Sequence, residues 1–261
     1  VDATRRITDF AATAKLKPVH FTSTLAVFYS MRGLEVSEDT PLPPQPGLTN
    51  GYNLSKWAAD RLVQRAAEAG IPVSIYRVCT ATGDAESGIC QTQDFIWLFL
   101  QLCVRLGCAP AFDYRISMMP VDRMGEMIVR LSSIGAHAGL RTFHLHPPGP
   151  VHVEQLYEWL QRYGYPLRVV SYGKWYDRLM QVAGEGAGRP DGLLPLIPER
   201  DAGKSRLVPE FRSRFTDDAL RGLGMRNEPY TESMFGRTLD YFRRIGFMPE
   251  VNGRAYAQSN P

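Results

Sequence analysis

Cysteines at metal-ligand spacing are missing from this sequence. The four present, Cys79, Cys90, Cys103 and Cys108, form no C-x-x-C pair, and no histidine follows at zinc-finger distance. They read as buried free thiols of a protein in the reducing cytoplasm, and no metal site is expected. Long apolar runs are missing too. The longest, "FIWLFLQLCV", is about ten residues, which suits a buried helix and is too short to span a bilayer. No signal peptide is recognisable. Charge of one sign is not concentrated anywhere: 30 basic and 27 acidic residues leave a net charge of +3, and the basic stretches "RYGYPLR" and "FRSRF" are short. That argues against nucleic acid or an anionic membrane as a partner. There is no internal repeat.

What remains is ordinary globular composition: 261 residues, 44% hydrophobic and 22% charged, enough for one large domain or a domain with a small companion. The opening "VDATRRITDFAATAK" has helical rhythm, with Ile7, Phe10, Ala11 and Ala14 on one face. "VHFTSTLAVF" follows Pro18 as a buried strand whose end turns polar at Thr22, Ser23 and Thr24. A Pro- and Gly-rich loop from Asp39 to Gly51 leads to a helix over Tyr52–Ala69, and Gly70 ends it. "IPVSIYRV" is the next strand. Helix, strand, loop, helix, strand is the alternation of a parallel sheet with crossovers.

Past Gly88 the sequence predicts an apolar helix in "QTQDFIWLFLQLCVRLG" and a second in "MPVDRMGEMIVRLSSIG", with Asp122 as its N-cap. A strand "RTFHLHPPG", a helix "VHVEQLYEWLQRYGY", a strand and helix in "LRVVSYGKWYDRLMQVAG", an irregular loop and two last helices complete it. His144 and His146 would share a strand face, but two ligands do not make a metal site. Trp97, Phe99, Trp159 and Trp175 read as core or groove lining.

The informative stretch is "LTNGYNLSKWAADRLVQRAAEAG", residues 48–70. Tyr52 and Lys56 stand one turn apart, so phenol and ammonium share a helix face. The pair alone recurs by chance, and its context decides. Ligands in a parallel α/β sheet bind beyond the C-terminal strand ends. Thr22, Ser23 and Thr24 end one strand there, Tyr52 opens the next helix, and "RVCTATG" (77–83) ends the next strand. A hydroxyl, a phenol and an ammonium are what carbonyl reduction needs: one orients the oxygen, one donates the proton, one stabilises phenolate character.

"PVHFTSTLAVF", "GYNLSKWAADRLV", "GIPVSIYRVCTATGD…SG" and "MPVDRMGEMIVRLS" together resemble the extended short-chain dehydrogenases/reductases. Within them the chain resembles the thioester reductase branch: terminal reductase domains of nonribosomal peptide and polyketide synthases, of the male-sterility type. The resemblance is strongest from Lys17 to Gly88 and weaker after Gly149. It implies a Rossmann-type doubly wound α/β sheet with a smaller, mainly helical C-terminal substrate-binding subdomain. Residues 1–88 would carry the catalytic half of the NADP-binding domain, and 89–261 the remaining sheet elements and the subdomain for substrate and carrier, packed over the mouth of the sheet.

The same resemblance assigns catalysis to Thr24, Tyr52 and Lys56, with Tyr52, Lys56, Val78 and Cys79 along the cofactor, and Thr22, Asp84, Ser87 and Gly88 bordering the substrate. Many relatives have Pro-Gly where this chain has Val78 and Cys79. The family also begins with a strand and a Gly-rich turn for the cofactor pyrophosphate. "GEGAGRPDG" lies between helical segments and does not qualify, so about a hundred preceding residues, most of the first mononucleotide half, are expected to be missing from this chain. The cofactor implied is NADPH. The partners implied are an acyl or peptidyl carrier protein with its phosphopantetheine arm and the other modules of a synthase. A carboxylic acid reductase or fatty acyl reductase terminus would use the same triad. A docking module without turnover and a nucleotide-sugar epimerase are the remaining readings.

Overall fold

A helix this close to a β-rich run must be stopped sharply, and the chain does so with a lysine. In the computed structural model, which describes residues 1–44, 47, 48, 50–111, 113–134, 139–184 and 208–251, the first helix α1 (Asp2–Ala12) ends at Thr13. The Lys17 ammonium donates to the carbonyls of Phe10, Thr13 and Lys15 at 3.3, 2.9 and 2.8 Å, a cation on the negative helix end. Ala14 does not extend the helical face: it lies beyond the helix at φ +59°. The buried side chains of α1 are Thr8 and Ala11, while Phe10 is 65% exposed.

The other elements follow in chain order. They are β1 (Val19–Thr24), a 3-10 turn (Leu25–Phe28), β2 (Glu35–Val36), α2 (Gly51–Glu68), β3 (Val73–Val78), β4 (Thr80–Thr82) and α3 (Phe95–Leu106). Next come β5 (Cys108–Ala111), β6 (Arg115–Ile116), β7 (Met118–Pro120), α4 (Val121–Ser132), β8 (Leu140–Leu145), β9 (Val151–His152) and α5 (Val153–Tyr163). β10 (Arg168–Ser171), α6 (Tyr172–Gly184), β11 (Glu210–Phe211), α7 (Arg214–Gly222) and α8 (Glu232–Arg244) complete the chain. The glycine stretch 184–192 and the tail 252–261 lie, but for Gly184, outside the described residues.

Two compact units interleave along the chain. The first is Val1–Ala81, Ser117–Gly149 and Leu207–Pro229; the second is Thr82–Ile116, Pro150–Arg206 and Tyr230–Pro261. The first unit holds a three-stranded parallel sheet in the order β1-β3-β8. Thr24 stands opposite Val78, and Val78 opposite Leu145, so all three strands end at the same edge of the sheet. Alternation along the strands gives the sheet two apolar faces. On one, Val19, Val73 and Ile75 pack with Ala11, Val63, Ala67 and Ile71. On the other, Tyr76, Phe143 and Leu145 pack with Met119, Met124, Met127, Leu131 and Leu220. Each fully buried side chain of this size contributes about 1.5–3 kcal/mol, so burial rather than propensity holds α2 on the sheet. Asp122 lies in the first turn of α4, whose N-cap is Pro120.

The second unit is built on aromatic packing. Trp97 of α3 sits 5.8 Å from the Phe235 ring and 5.2 Å from that of Phe242 on α8, and Trp159 of α5 lies 5.5 Å from Phe235. Phe99 meets Trp175 of α6 at 5.7 Å. β5 and β10 form a parallel pair. Gly107, at φ +66°, closes α3 in the left-handed conformation that favours glycine. Cys90, Cys103 and Cys108 are buried free thiols; Cys79 is half-buried. Burial pushes all four thiols up from their ordinary value, which makes them poor nucleophiles. Among the described residues no helix is long and apolar enough to cross a membrane.

Candidate active site

The site begins where β1 runs out. Thr22 is exposed, while Ser23 and Thr24 are buried. The Thr24 hydroxyl accepts a hydrogen bond from the Ala26 N–H at 3.2 Å and caps the 3-10 turn. A hydroxyl has two acceptor positions and one donor, so this cap leaves its proton to be given to a carbonyl oxygen.

The helix start is set by Asn50. Its side-chain oxygen accepts from the Asn53 N–H at 2.7 Å, the usual N-cap contact. The helix therefore opens at Gly51, and Tyr52 falls in its first turn, 60% exposed. Lys56 is one turn further along the same helix. Its ammonium donates to the Thr22 carbonyl at 3.1 Å and lies 5.6 Å from the centre of the Phe21 ring. The structure thus joins Lys56 to the strand just before Ser23 and ties the helix carrying Tyr52 to the end of β1.

Val78 is the register partner of Thr24. The Cys79 N–H donates to the Leu145 carbonyl at 2.9 Å, and both Val78 and Cys79 pack against the Met-rich apolar cluster. They shape the edge by backbone and bulk, not by a reactive thiol.

Asp84, Ser87 and Gly88 belong to the second unit, where they build a self-closed turn. One Asp84 carboxylate oxygen accepts from the N–H groups of Glu86 and Ser87 at 3.1 and 2.8 Å and from the Ser87 hydroxyl at 2.8 Å. These bonds, the Ser87 N–H first, hold the Asp84 carboxyl below its ordinary range. The turn is clasped to α8. Arg237 donates to the Ala85 carbonyl at 2.9 Å. A Cβ on Gly83 would sit 2.6 Å from the Gly88 carbonyl oxygen, and one on Gly88 would overlap the Arg237 carbonyl. Gly88 also has φ +68°. Gly88→Ala therefore combines left-handed backbone strain with overpacking, and we expect it to lower stability by about 2–4 kcal/mol, read as a fall in the urea midpoint.

One feature of this region is not announced by any motif. Asp60, on α2, accepts from the Ser23 hydroxyl at 2.7 Å, the Gln64 amide at 2.7 Å, and Arg77 Nε and Nη2 at 3.1 and 3.2 Å. Asp60 and Arg77 are 0% and 2% exposed. The signal in the sequence is a carboxylate beside the apolar stripe Ala59, Val63, Ala67 and a guanidinium inside a β-rich run, each out of place without the other. His144 also meets Arg77, at 3.5 Å, and gives its Nδ1 proton to the Arg212 carbonyl at 3.1 Å.

The male sterility protein family model, an NAD-binding family, matches residues 1–128. A linear gramicidin synthase polypeptide of Brevibacillus parabrevis is 34% identical over 250 residues, which are 94% of this chain and 5% of that protein. The isonitrile lipopeptide synthase of Streptomyces coeruleorubidus is 32% identical over 259 residues, 97% of this chain and 17% of that one. The crystal structure of the terminal R domain from the myxalamid PKS-NRPS pathway superposes with a TM-score of 0.87 at 31% identity, over 95% of this chain and 63% of that chain. The chain thus spans a small part of the synthases it matches and less than two thirds of the solved domain. Residues 1–128 resemble the NAD-binding family of the male sterility protein, and the chain over 95% of its length resembles the terminal R domain of a PKS-NRPS pathway.

Proposed function

We propose that the protein to which this chain belongs releases an acyl or peptidyl chain from the phosphopantetheine thiol of a carrier protein by reducing the thioester to an aldehyde. The observation that carries this reading is the Lys56–Thr22 link at 3.1 Å, which joins the helix of Tyr52 to the strand ending in Thr24. An ammonium with N–H groups to spare and an exposed phenol one turn away suit the ribose and nicotinamide end of a dinucleotide. Lys56 and Tyr52 would hold that end, with the backbone at Val78 and Cys79 beside it. No residue of this chain is assigned to the pyrophosphate. When bound, the reduced cofactor, NADPH in this reading, supplies hydride.

Thr24 donates its hydroxyl proton as a hydrogen bond to the thioester oxygen and so orients the carbonyl. Tyr52 transfers its phenolic proton to that oxygen as negative charge develops on it, and Lys56 stabilises the phenolate left behind. The product is a hemithioacetal. Its C–S bond breaks, the hydroxyl proton passes to sulfur, and aldehyde and free pantetheine thiol separate. Asp84, Ser87 and Gly88 would border the acyl chain. The carrier protein and the other synthase modules are the partners, and the cytoplasm is the compartment.

The test is NADPH oxidation by the full-length domain with a carrier-bound or pantetheine thioester, with aldehyde and alcohol identified among the products. Oxidation that requires the thioester supports the reading. A folded domain that consumes no NADPH across a range of acyl chains overturns it.

A further inference from the structure

We propose that Asp60 is a positioning residue of the reductase site, fixing Thr24 relative to the helix of Tyr52 and Lys56 through Ser23 and Arg77. The inference rests on the functional reading above. A carboxylate offers about four lone-pair positions, and in Asp60 all are answered: by Ser23 from β1, Gln64 from α2, and Arg77 twice from β3. The donors are not scattered. Ser23 precedes Thr24, Asp60 lies one turn after Lys56, and Arg77 precedes Val78. Arg77 also stacks on Phe28 at 4.8 Å, and Phe28 closes the 3-10 turn that Thr24 caps. The same ion pair therefore holds the chain on both sides of Thr24.

Stability alone does not account for this choice. A buried ion pair is often matched or bettered by apolar side chains of similar volume. What apolar packing lacks is direction. The sheet face under α2 consists of rounded side chains, Val19, Val73 and Ile75, over which a helix can slide by a fraction of an ångström at little cost. Three directed bonds from two strands, one from Ser23 and two from Arg77, remove that freedom. The site needs it removed, because a misplacement of about 1 Å in a reacting group can lower the rate by about a hundredfold.

The experiment compares two variants of the full-length domain in the thioester assay. Ser23→Ala deletes one bond and leaves the ion pair intact. Val63→Ala creates a cavity in the same helix–sheet interface, away from the network. We expect Ser23→Ala to lower kcat by about tenfold, a fraction of that positioning limit, with KM for thioester and for NADPH little changed and a small loss in melting temperature. Val63→Ala should lose more melting temperature and keep kcat close to wild type. Wild-type kcat in Ser23→Ala overturns the proposal, as does a loss of kcat in Val63→Ala that follows its loss of stability. An inactive wild type overturns the functional reading itself, and this inference with it.

Discussion

Tyr52→Phe should remove thioester-dependent NADPH oxidation and leave the protein folded. General acid catalysis by a positioned side chain is worth about 10²–10⁴-fold, and a phenyl ring has no proton to give. The fold should not register the change. The ring is 60% exposed on the first turn of α2, the Asn50 side chain caps the helix start, and surface substitutions of this kind move stability by about 0.5 kcal/mol or less. The measurement is kcat/KM alongside the melting temperature. A fall of at least a hundredfold in rate with an unchanged melting curve supports Tyr52 as the proton donor. A variant within tenfold of wild type shows that the proton comes from elsewhere, with Thr24 or water the next candidates.

The sequence was most legible where local chemistry decides the structure. Gly70 ends α2 as expected, because a left-handed turn acts on its own neighbours. The hydroxyl-rich end of β1 and the end of β3 reach the same edge, as the parallel pairing expected from the alternation of elements requires. Features set by distant partners were not legible. The turn from Gly83 to Gly88 has its shape because α8, some 150 positions later, passes close enough to exclude a Cβ. The helical rhythm of α1 correctly marks a helix but not which side is buried: Thr8 and Ala11 are covered, and the more apolar Phe10 is not. Asp60 is the sharpest case. A charge on an apolar stripe reads as a solvated edge until Arg77, on the next strand of the sheet, is seen beside it.

That pair predicts the largest stability effect in the chain. Asp60→Ala should destabilise the domain by about 3–5 kcal/mol, the cost of leaving a buried partner charge unpaired. Against a typical total of about 5–15 kcal/mol, this is a fifth or more. The other side chain at the guanidinium cannot take over the charge. His144 accepts at 3.5 Å from Arg77 but carries no negative charge, and burial, followed by the Arg77 cation, pushes its pKa down to about 3, so it stays neutral. The Ser23 hydroxyl and the Gln64 amide would lose their acceptor at the same time. Urea unfolding of the single variant and of Asp60→Ala with Arg77→Met separates the causes. If the unpaired cation dominates, the double variant regains most of the loss, because a thioether can lie against Phe28 without needing a counter-ion. If the double variant is no better than the single one, the loss comes from the stranded Ser23 and Gln64 donors and the cavity. A single variant within about 1 kcal/mol of wild type would mean that water reaches Arg77 and that the pair contributes little.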